Sequence, residues 1–271
     1  MSFKKGSVPH NKGTSKVKVG SVFTSVGGYG DYEVLEYISN DEVLIKFLNT
    51  GYSYSVVASP ILRGKVKDYS VPNVYGIGYN SLGKLKIGNN LVLKVAHIKW
   101  KDMLSRCYSP RMHKTNPTYK GCVVSEDWHD FANFYNWFKN INKIEDKLDF
   151  HLDKDILSDG SKIYSKENCC LIPRKINNII CSPIRDKDSP TPVGVHLHKV
   201  CGRYQSYCND FKGKRKSLGF HDNLEDAHRI YIKFKKQVLK ECADFYKDVI
   251  PSRLYDKLIN HDFKQEDYYE I

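Results

Sequence analysis

The sequence predicts an α+β chain made of several small modules. These are a β-barrel-like N-terminal sheet, a central helical scaffold carrying a ββα finger, and a C-terminal three-stranded sheet followed by a helix. Three observations predict this. Strand-like runs cluster over 32–57, apolar residues recur at helical spacing over 100–141, and a basic segment over 192–221 runs into a second apolar stripe over 227–238. The 271 residues are 41% hydrophobic and 13% aromatic, which is the composition of a folded chain. That length suits two or three small modules.

Residues 1–16 are rich in Gly, Ser and Lys and have little to bury, so they predict a flexible basic arm. Within it, Gly6-Ser7-Val8-Pro9-His10-Asn11-Lys12-Gly13 is similar to the short Pro-x-Asn-Lys-Gly modules attached to homing nucleases, which implies contact along a DNA backbone. An unstructured tail is the alternative.

Residues 17–80 predict a small β module that binds DNA. The strand-like runs are 32–38, 43–47 and 52–57, punctuated by Asn40-Asp41 and Asn49-Thr50-Gly51. Tyr29, Tyr52 and Tyr54 lie near Arg63, Lys65 and Lys67 in sequence. They are either base-stacking residues beside phosphate contacts or simply good strand formers.

Over 95–142 the pattern turns helical. Trp100, Met103, Leu104 and Cys107 form one stripe, and Trp128, Phe131, Phe134, Tyr135, Phe138 and Ile141 a second, both core material. Next come His151-Leu152-Asp153-Lys154-Asp155 and then Glu167-Asn168-Cys169-Cys170-Leu171-Ile172-Pro173-Arg174-Lys175-Ile176-Asn177-Asn178. An acidic strand, a loop, an asparagine, a second strand and a helix carrying more asparagine are the layout of a ββα metal finger. Pro173 predicts the helix start.

This stretch resembles the asparagine-bearing variant of the HNH nuclease motif found in phage homing endonucleases, placing a nuclease domain over 95–182. The resemblance implies an aspartate ligand for one Mg²⁺ or Mn²⁺ per active site, a neighbouring histidine as general base, an asparagine at Asn168 tying the finger together, and Asn177 completing the metal site. Family members carry an Asp-His pair where this chain has Asp153-Lys154. The ligand is therefore either Asp153 or Asp155, and the base either His151 or Lys154. Strand alternation predicts His151, Asp153 and Asp155 on one face and Lys154 on the other, which casts Lys154 as a phosphate contact. Cys107, His113, Cys122 and His129 are too irregularly spaced to predict a structural zinc.

Residues 192–247 contain Pro192-Val193-Gly194-Val195, Gly202-Arg203-Tyr204-Gln205-Ser206, Lys214-Arg215-Lys216-Ser217-Leu218-Gly219-Phe220-His221 and Leu224-Glu225-Asp226-Ala227-His228. They resemble the AP2 DNA-binding domain of plant transcription factors and phage nucleases, which implies three antiparallel strands and one helix, with the sheet in the major groove. Independently, Ala227, Tyr231, Phe234 and Val238 predict a helix near 223–242 capped by Asp222 or Asn223. The resemblance makes His196, His198, Arg203, Gln205, Tyr207, Lys214 and Lys216 candidates for the DNA face. The forks of Arg203 and Gln205 suit guanine and adenine edges. Lys212, Lys214, Arg215 and Lys216 suit phosphates. Residues 248–271 read as an acidic tail.

Charge agrees with a nucleic-acid partner. The net is +12, from 43 basic and 31 acidic residues. Residues 1–100 carry 13 basic against 6 acidic side chains, and 191–240 carry 11 against 4. Eight cysteines without a Cys-x-x-Cys pair, together with a polar, basic start, predict reduced thiols in a cytoplasmic protein. No apolar run approaches the roughly 20 residues of a membrane span. The expected whole is a monomeric, site-specific, divalent-metal-dependent endonuclease of a phage or other mobile element that nicks double-stranded DNA. The alternative is a non-catalytic, sequence-specific DNA-binding regulator built on a decayed finger.

Overall fold

A computed structural model of the chain describes residues 16–84, 90–141, 149–158, 160–181 and 189–263. The Gly6-to-Gly13 segment lies outside the described residues. The chain divides into two compact units, Met1–Leu85 and Lys86–Ile271.

The first unit is a four-stranded antiparallel meander of β1 (Val22–Thr24), β2 (Asp31–Ser39), β3 (Glu42–Phe47) and β4 (Ser53–Val56), followed by a short helix α1 (Ala58–Leu62). Alternation on β3 buries Val43, Ile45 and Phe47, which meet Tyr32 and Val34 of β2 in one core. The barrel-like expectation is corrected here. The sheet stays open, with β1 and β4 at its edges. Strands of three and four residues are short for closure. The core is covered instead by α1, whose Ile61 is fully buried and whose carbonyl accepts the Tyr32 hydroxyl at 3.1 Å.

The second unit begins with α2 (Leu91–Tyr108), capped by Asn90 accepting the Leu93 N–H at 2.9 Å, and α3 (Pro110–Thr115). The strand β5 (Val123–Val124) and the helix α4 (Phe131–Ile141) follow. Trp100 and Trp128 are buried, and the Trp100 indole N–H donates to the Trp128 carbonyl at 2.8 Å. Phe131, Phe134 and Phe138 complete this apolar seam, as their helical spacing predicts.

On this scaffold sits the hairpin-like pair β6 (Phe150–Asp153) and β8 (Cys170–Pro173), antiparallel, with His151 opposite Ile172 and Asp153 opposite Cys170. Between them, β7 (Ile163–Tyr164) pairs in parallel with β5 and ties the connecting loop to the scaffold. The helix α5 (Arg174–Ile180) follows directly, with Pro173 at its cap rather than in its first turn.

The strands β9 (Val195–His198), β10 (Arg203–Asn209) and β11 (Arg215–His221) form an antiparallel sheet with β10 central. It packs on α6 (Leu224–Tyr246), capped by Asn223 accepting the Asp226 N–H at 2.8 Å. Only glycine fits at position 194, since a Cβ there would lie 2.2 Å from the Tyr231 ring of α6. The expected stripe is modified, because Lys235 is buried on α6 while Phe234 is only half-buried. The Lys235 ammonium lies 4.3 Å from the Phe263 ring centroid.

The acidic-tail expectation is also corrected. Residues 252–259 form α7 (Ser252–Ile259), which packs on α6 with Leu254 and Leu258 buried. The acidic stretch at 264–271 lies outside the described residues. Among the described residues no helix is long and apolar enough to cross a membrane.

Candidate active site and nucleic-acid interface

Alternation along β6 decides what the candidate site contains. Phe150 and Leu152 turn into the core, while His151 and Asp153 stay half-buried on the other face. α5 lies beside that face, and Asn177 Nδ2 stands 3.1 Å from His151 Nδ1. His151, Asp153 and Asn177 are thereby gathered around the junction of β6 and α5. Cys181, at the end of α5, adds a thiol 3.7 Å from Asn177 Oδ1.

Asp153 is held rigidly, its Oδ1 accepting the N–H groups of Asp155 at 2.9 Å and Ile156 at 3.0 Å. Burial pushes its carboxyl above the ordinary value. The N–H bonds oppose this, and the Asp155 charge adds to it. His151 is pushed below its ordinary value, first by burial and then by Lys99, Arg174 and Arg106. Its neutral form is therefore favoured near neutral pH.

Asp155 does not share that face. It lies beyond the end of β6, is exposed, and its carboxylate is ion-paired with Lys154. Lys154 itself is 7% exposed and lies 5.8 Å from the Tyr164 ring centroid, inside the finger. Burial pushes the ammonium down, but Asp155 outweighs it, so Lys154 stays above its ordinary value and charged. A buried, paired ammonium is neither a base nor a phosphate contact, so Lys154 differs from the phosphate-facing lysine that strand alternation predicts.

Asn168 acts on the loop. Its Nδ2 donates to the Ile163 carbonyl at 3.0 Å and to Ser161 Oγ at 3.1 Å, and its N–H donates to Ser165 Oγ at 3.3 Å. It is a staple between the loop and β8.

Three cations that support this site escape sequence reasoning. Lys99 of α2 donates to the Phe150 carbonyl, and Arg106, two turns later on the same helix face, to the Leu152 carbonyl at 3.4 Å. Arg253 of α7 donates to the Glu167 carbonyl at 3.0 Å and to the Leu157 carbonyl at 3.4 Å, spanning the two ends of the finger loop. The available signal is weak: α2 carries four cations, Lys94, Lys99, Lys101 and Arg106, and Lys94 and Lys101 repeat the same seven-residue spacing.

For a cation, Asp153 could offer one carboxylate and Asn177 one amide oxygen. Hard oxygen donors of this kind fit Mg²⁺, which binds few protein ligands and keeps most of its water. Among the described residues no group of three or more His, Cys, Asp or Glu is placed to hold a metal ion. The irregular Cys/His set is otherwise engaged. His113 Nε2 lies 2.9 Å from the Arg106 carbonyl and His129 Nε2 3.1 Å from the Val124 carbonyl, while burial pushes the Cys107 thiol up to about 12.

The C-terminal sheet sorts its side chains by face. Ser206 donates to the Ala227 carbonyl of α6 at 2.6 Å, which marks the helix side of β10. Arg203, Gln205 and Tyr207 are therefore on the open side. Opposite them lie His198 and His196 of β9 and Phe220 of β11. The Arg203 fork is already oriented, with Nε 2.8 Å from Asp222 and a second nitrogen donating to the Phe220 carbonyl at 3.1 Å.

A bulge then reverses the alternation on β11. Ser206 pairs with Gly219 but Tyr207 pairs with Ser217, leaving Leu218 as the extra residue, and Gly219 takes the required positive φ of +105°. As a result Arg215 is on the open face, its guanidinium 3.5 Å from the Tyr207 ring centroid. Lys216, opposite Cys208, is turned to the helix side, 3.8 Å from Asp210. Lys212 and Lys214 flank the β10–β11 turn, where Asp210 Oδ1 accepts both of their N–H groups at 2.9 and 2.8 Å. Of the seven strand candidates, Lys216 leaves the open face and Lys214 lies in the turn before β11.

Comparisons with protein-family models, with curated proteins and with solved structures find no match for this chain.

Proposed function

We propose that the chain is a divalent-metal-dependent DNA endonuclease that nicks one strand of duplex DNA at a specific site. The observation carrying this reading is the grouping of His151 and Asp153 on one face of β6 with Asn177 bonded to that histidine from α5. Asp153 and Asn177 Oδ1 would hold a Mg²⁺ or Mn²⁺ ion. When bound, the ion supplies charge neutralisation at the scissile phosphate and at the departing oxygen. His151, neutral near pH 7, exchanges a proton with the attacking water. Asn168 keeps the loop folded, and Lys99, Arg106 and Arg253 hold the backbone of the finger in place.

The HNH resemblance of 151–155 and 167–178 and the AP2 resemblance of 192–245 support the same reading. So does the open sheet face bearing His196, His198, Arg203, Gln205, Tyr207 and Arg215, which offers base-reading forks beside aromatic surface. One finger carries one metal and one imidazole, so a monomer cuts one strand per encounter. The setting is a phage or other mobile element, in homing or in interference with a competing genome.

A second reading is a non-catalytic, sequence-specific DNA-binding regulator. It is favoured by Lys154, which occupies the position where the resembling family has histidine and is buried and paired. Plasmid nicking with and without Mg²⁺ separates the two. Under the first reading Mg²⁺ yields nicked circles. Asp153→Ala, Asn168→Ala and Asn177→Ala lose them while retaining DNA affinity, and His151→Ala is far slower than Lys154→Ala. Equal nicking by all of these variants, or none by the wild type, decides against it.

A further inference from the structure

The turn that closes on Val74 and Gly78 in the first unit holds a strained aromatic. The Ile77 N–H donates to the Val74 carbonyl at 3.1 Å, and the two residues between them, Tyr75 and Gly76, have φ of +53° and +72°. Left-handed conformations at both central positions define a type I′ turn, whose first central position favours Asn, Asp or Gly. Tyrosine there brings its Cβ against the backbone and costs free energy. Among the described residues Tyr75 is the one non-glycine residue with positive φ.

Among the described residues no side-chain hydrogen bond or ring contact of Tyr75 offsets that cost. Other tyrosines of the unit spend their hydroxyls internally: Tyr32 on Ile61, Tyr37 on Asn40, Tyr52 on Ser81 and Tyr54 on Lys67. Tyr75 is 46% exposed, and its side chain makes no hydrogen bond or ring contact among the described residues. The turn beneath it is firm, since the N–H groups of Asn73 and Val74 both reach the Gly78 carbonyl, at 2.8 and 2.9 Å. The surrounding segment is also one-sided in charge. Residues 63–84 carry Arg63, Lys65, Lys67 and Lys84 against a single acid, Asp68. That acid is fully buried and bonded to Thr50 and Ser70. The other acids of residues 16–84 lie within 31–42.

We propose that Tyr75 is a nucleobase-stacking residue, presented on a rigid turn to an unstacked base while the cations of the same segment neutralise the flanking phosphates. This rests on the DNA-binding part of the reading above and adds a contact in the first unit. An exposed tyrosine on a fixed backbone has only two side-chain torsions to order on binding, and a flat π-face accepts any base. Retaining tyrosine where glycine or asparagine would relax the backbone is the stability-for-function exchange expected at a contact site.

The test uses the full chain with Tyr75→Gly and Tyr75→Phe, a fluorescent duplex containing one unpaired 2-aminopurine, and the same duplex fully paired. The expected result is that Tyr75→Gly binds the unpaired-base duplex about 5- to 100-fold more weakly, by the usual worth of one stacked base. It should also melt at a higher temperature than the wild type, because glycine accepts the positive φ. Tyr75→Phe should keep both the affinity and the 2-aminopurine quenching. Wild-type binding with Tyr75→Gly unchanged overturns the stacking role alone. Equal losses on paired and unpaired duplex overturn it in favour of a backbone contact. A wild type that binds neither duplex overturns the DNA reading, and this inference with it.

Discussion

Asn177 Nδ2 stands 3.1 Å from His151 Nδ1, and that contact sets two roles of Asn177 against each other. With the amide nitrogen facing the ring, Nδ1 is the acceptor and the ring proton sits on Nε2, so no imidazole lone pair is open to take a proton from water. The same orientation turns Asn177 Oδ1, which accepts from Cys181 Sγ at 3.7 Å, away from the ring, where its second lone pair could meet a hard cation. Turning the amide over places Oδ1 on an Nδ1–H and opens the Nε2 lone pair, but it removes the oxygen from the cation. With Oδ1 on the cation, His151 can take a proton only once its Nδ1 has parted from the amide, so the two roles of Asn177 compete.

Asn177→Asp removes the competition by supplying two equivalent oxygens. Nicking should survive in this variant, whereas Asn177→Ala should lower the rate on the order of 100-fold or more. A carboxylate beside His151 raises the imidazole pKa, so the rising limb of the rate–pH profile should move to higher pH in Asn177→Asp. A variant as inactive as Asn177→Ala would remove the base role from this pair.

Arg253 links the C-terminal helix α7 to the loop of the finger through the carbonyls of Glu167 and Leu157. Arg253→Ala should cost roughly 1 kcal/mol of stability, in line with exchanging these bonds for water. It should slow nicking more than it weakens DNA binding, because the loop flanks Asp153 and Asn168 and not the open sheet face. Single-turnover cleavage at saturating DNA measures the first effect and equilibrium titration the second. Loss of affinity with an unchanged cleavage rate would place Arg253 on the DNA instead.

The legible parts of this molecule are those written in local periodicity. The β6 alternation placed His151 and Asp153 together because both belong to one regular strand, and the stripe at Phe131, Phe134 and Phe138 became core as read. Asp155 was misplaced because the strand ends at Asp153. Lys216 differs from its expected face because the extra residue Leu218 puts the residues before it out of alternation with those after it, and no local composition announces that. Arg253 was invisible for a different reason. Its acceptors are backbone carbonyls 86 and 96 positions away, which carry no side-chain signature. The acidic composition of 248–271 masks the helix around it, although Leu254 and Leu258 have the i, i+4 spacing that buries them on α6.

The bulge changes which cation should matter for sequence readout. Arg203→Ala should cost about 1–3 kcal/mol on the specific site if its fork reads a base edge. Arg215→Ala, from the same open face, should weaken specific and random duplex alike and reduce the salt slope by about one unit. Lys216→Ala should change neither, because its ammonium lies on the helix side near Asp210. Titrations at several salt concentrations on both duplexes check all three, and a Lys216→Ala loss equal to that of Arg215→Ala would show that the hairpin rearranges on DNA.

Acid should loosen the second unit through its buried histidines. His228 on α6 is buried beside Tyr231, and its imidazole is pushed below 6.5, first by burial and then by the Lys235 charge. His97 and His151 are lowered too, in each case first by burial. For a group with a depressed folded pKa the unfolded chain takes up the proton first. Proton uptake then favours unfolding as pH falls below about 6.5. The stability from these three histidines is fully present above about pH 7 and is lost progressively towards pH 5. Melting followed by circular dichroism should therefore give a lower Tm at pH 5 than at pH 7. His228→Gln should shrink that difference, whatever it does to the Tm at pH 7, because glutamine keeps the polarity and size without the titration. An unchanged difference in His228→Gln would mean that His228 takes up its proton in the folded state at no cost and that His97 and His151 carry the effect.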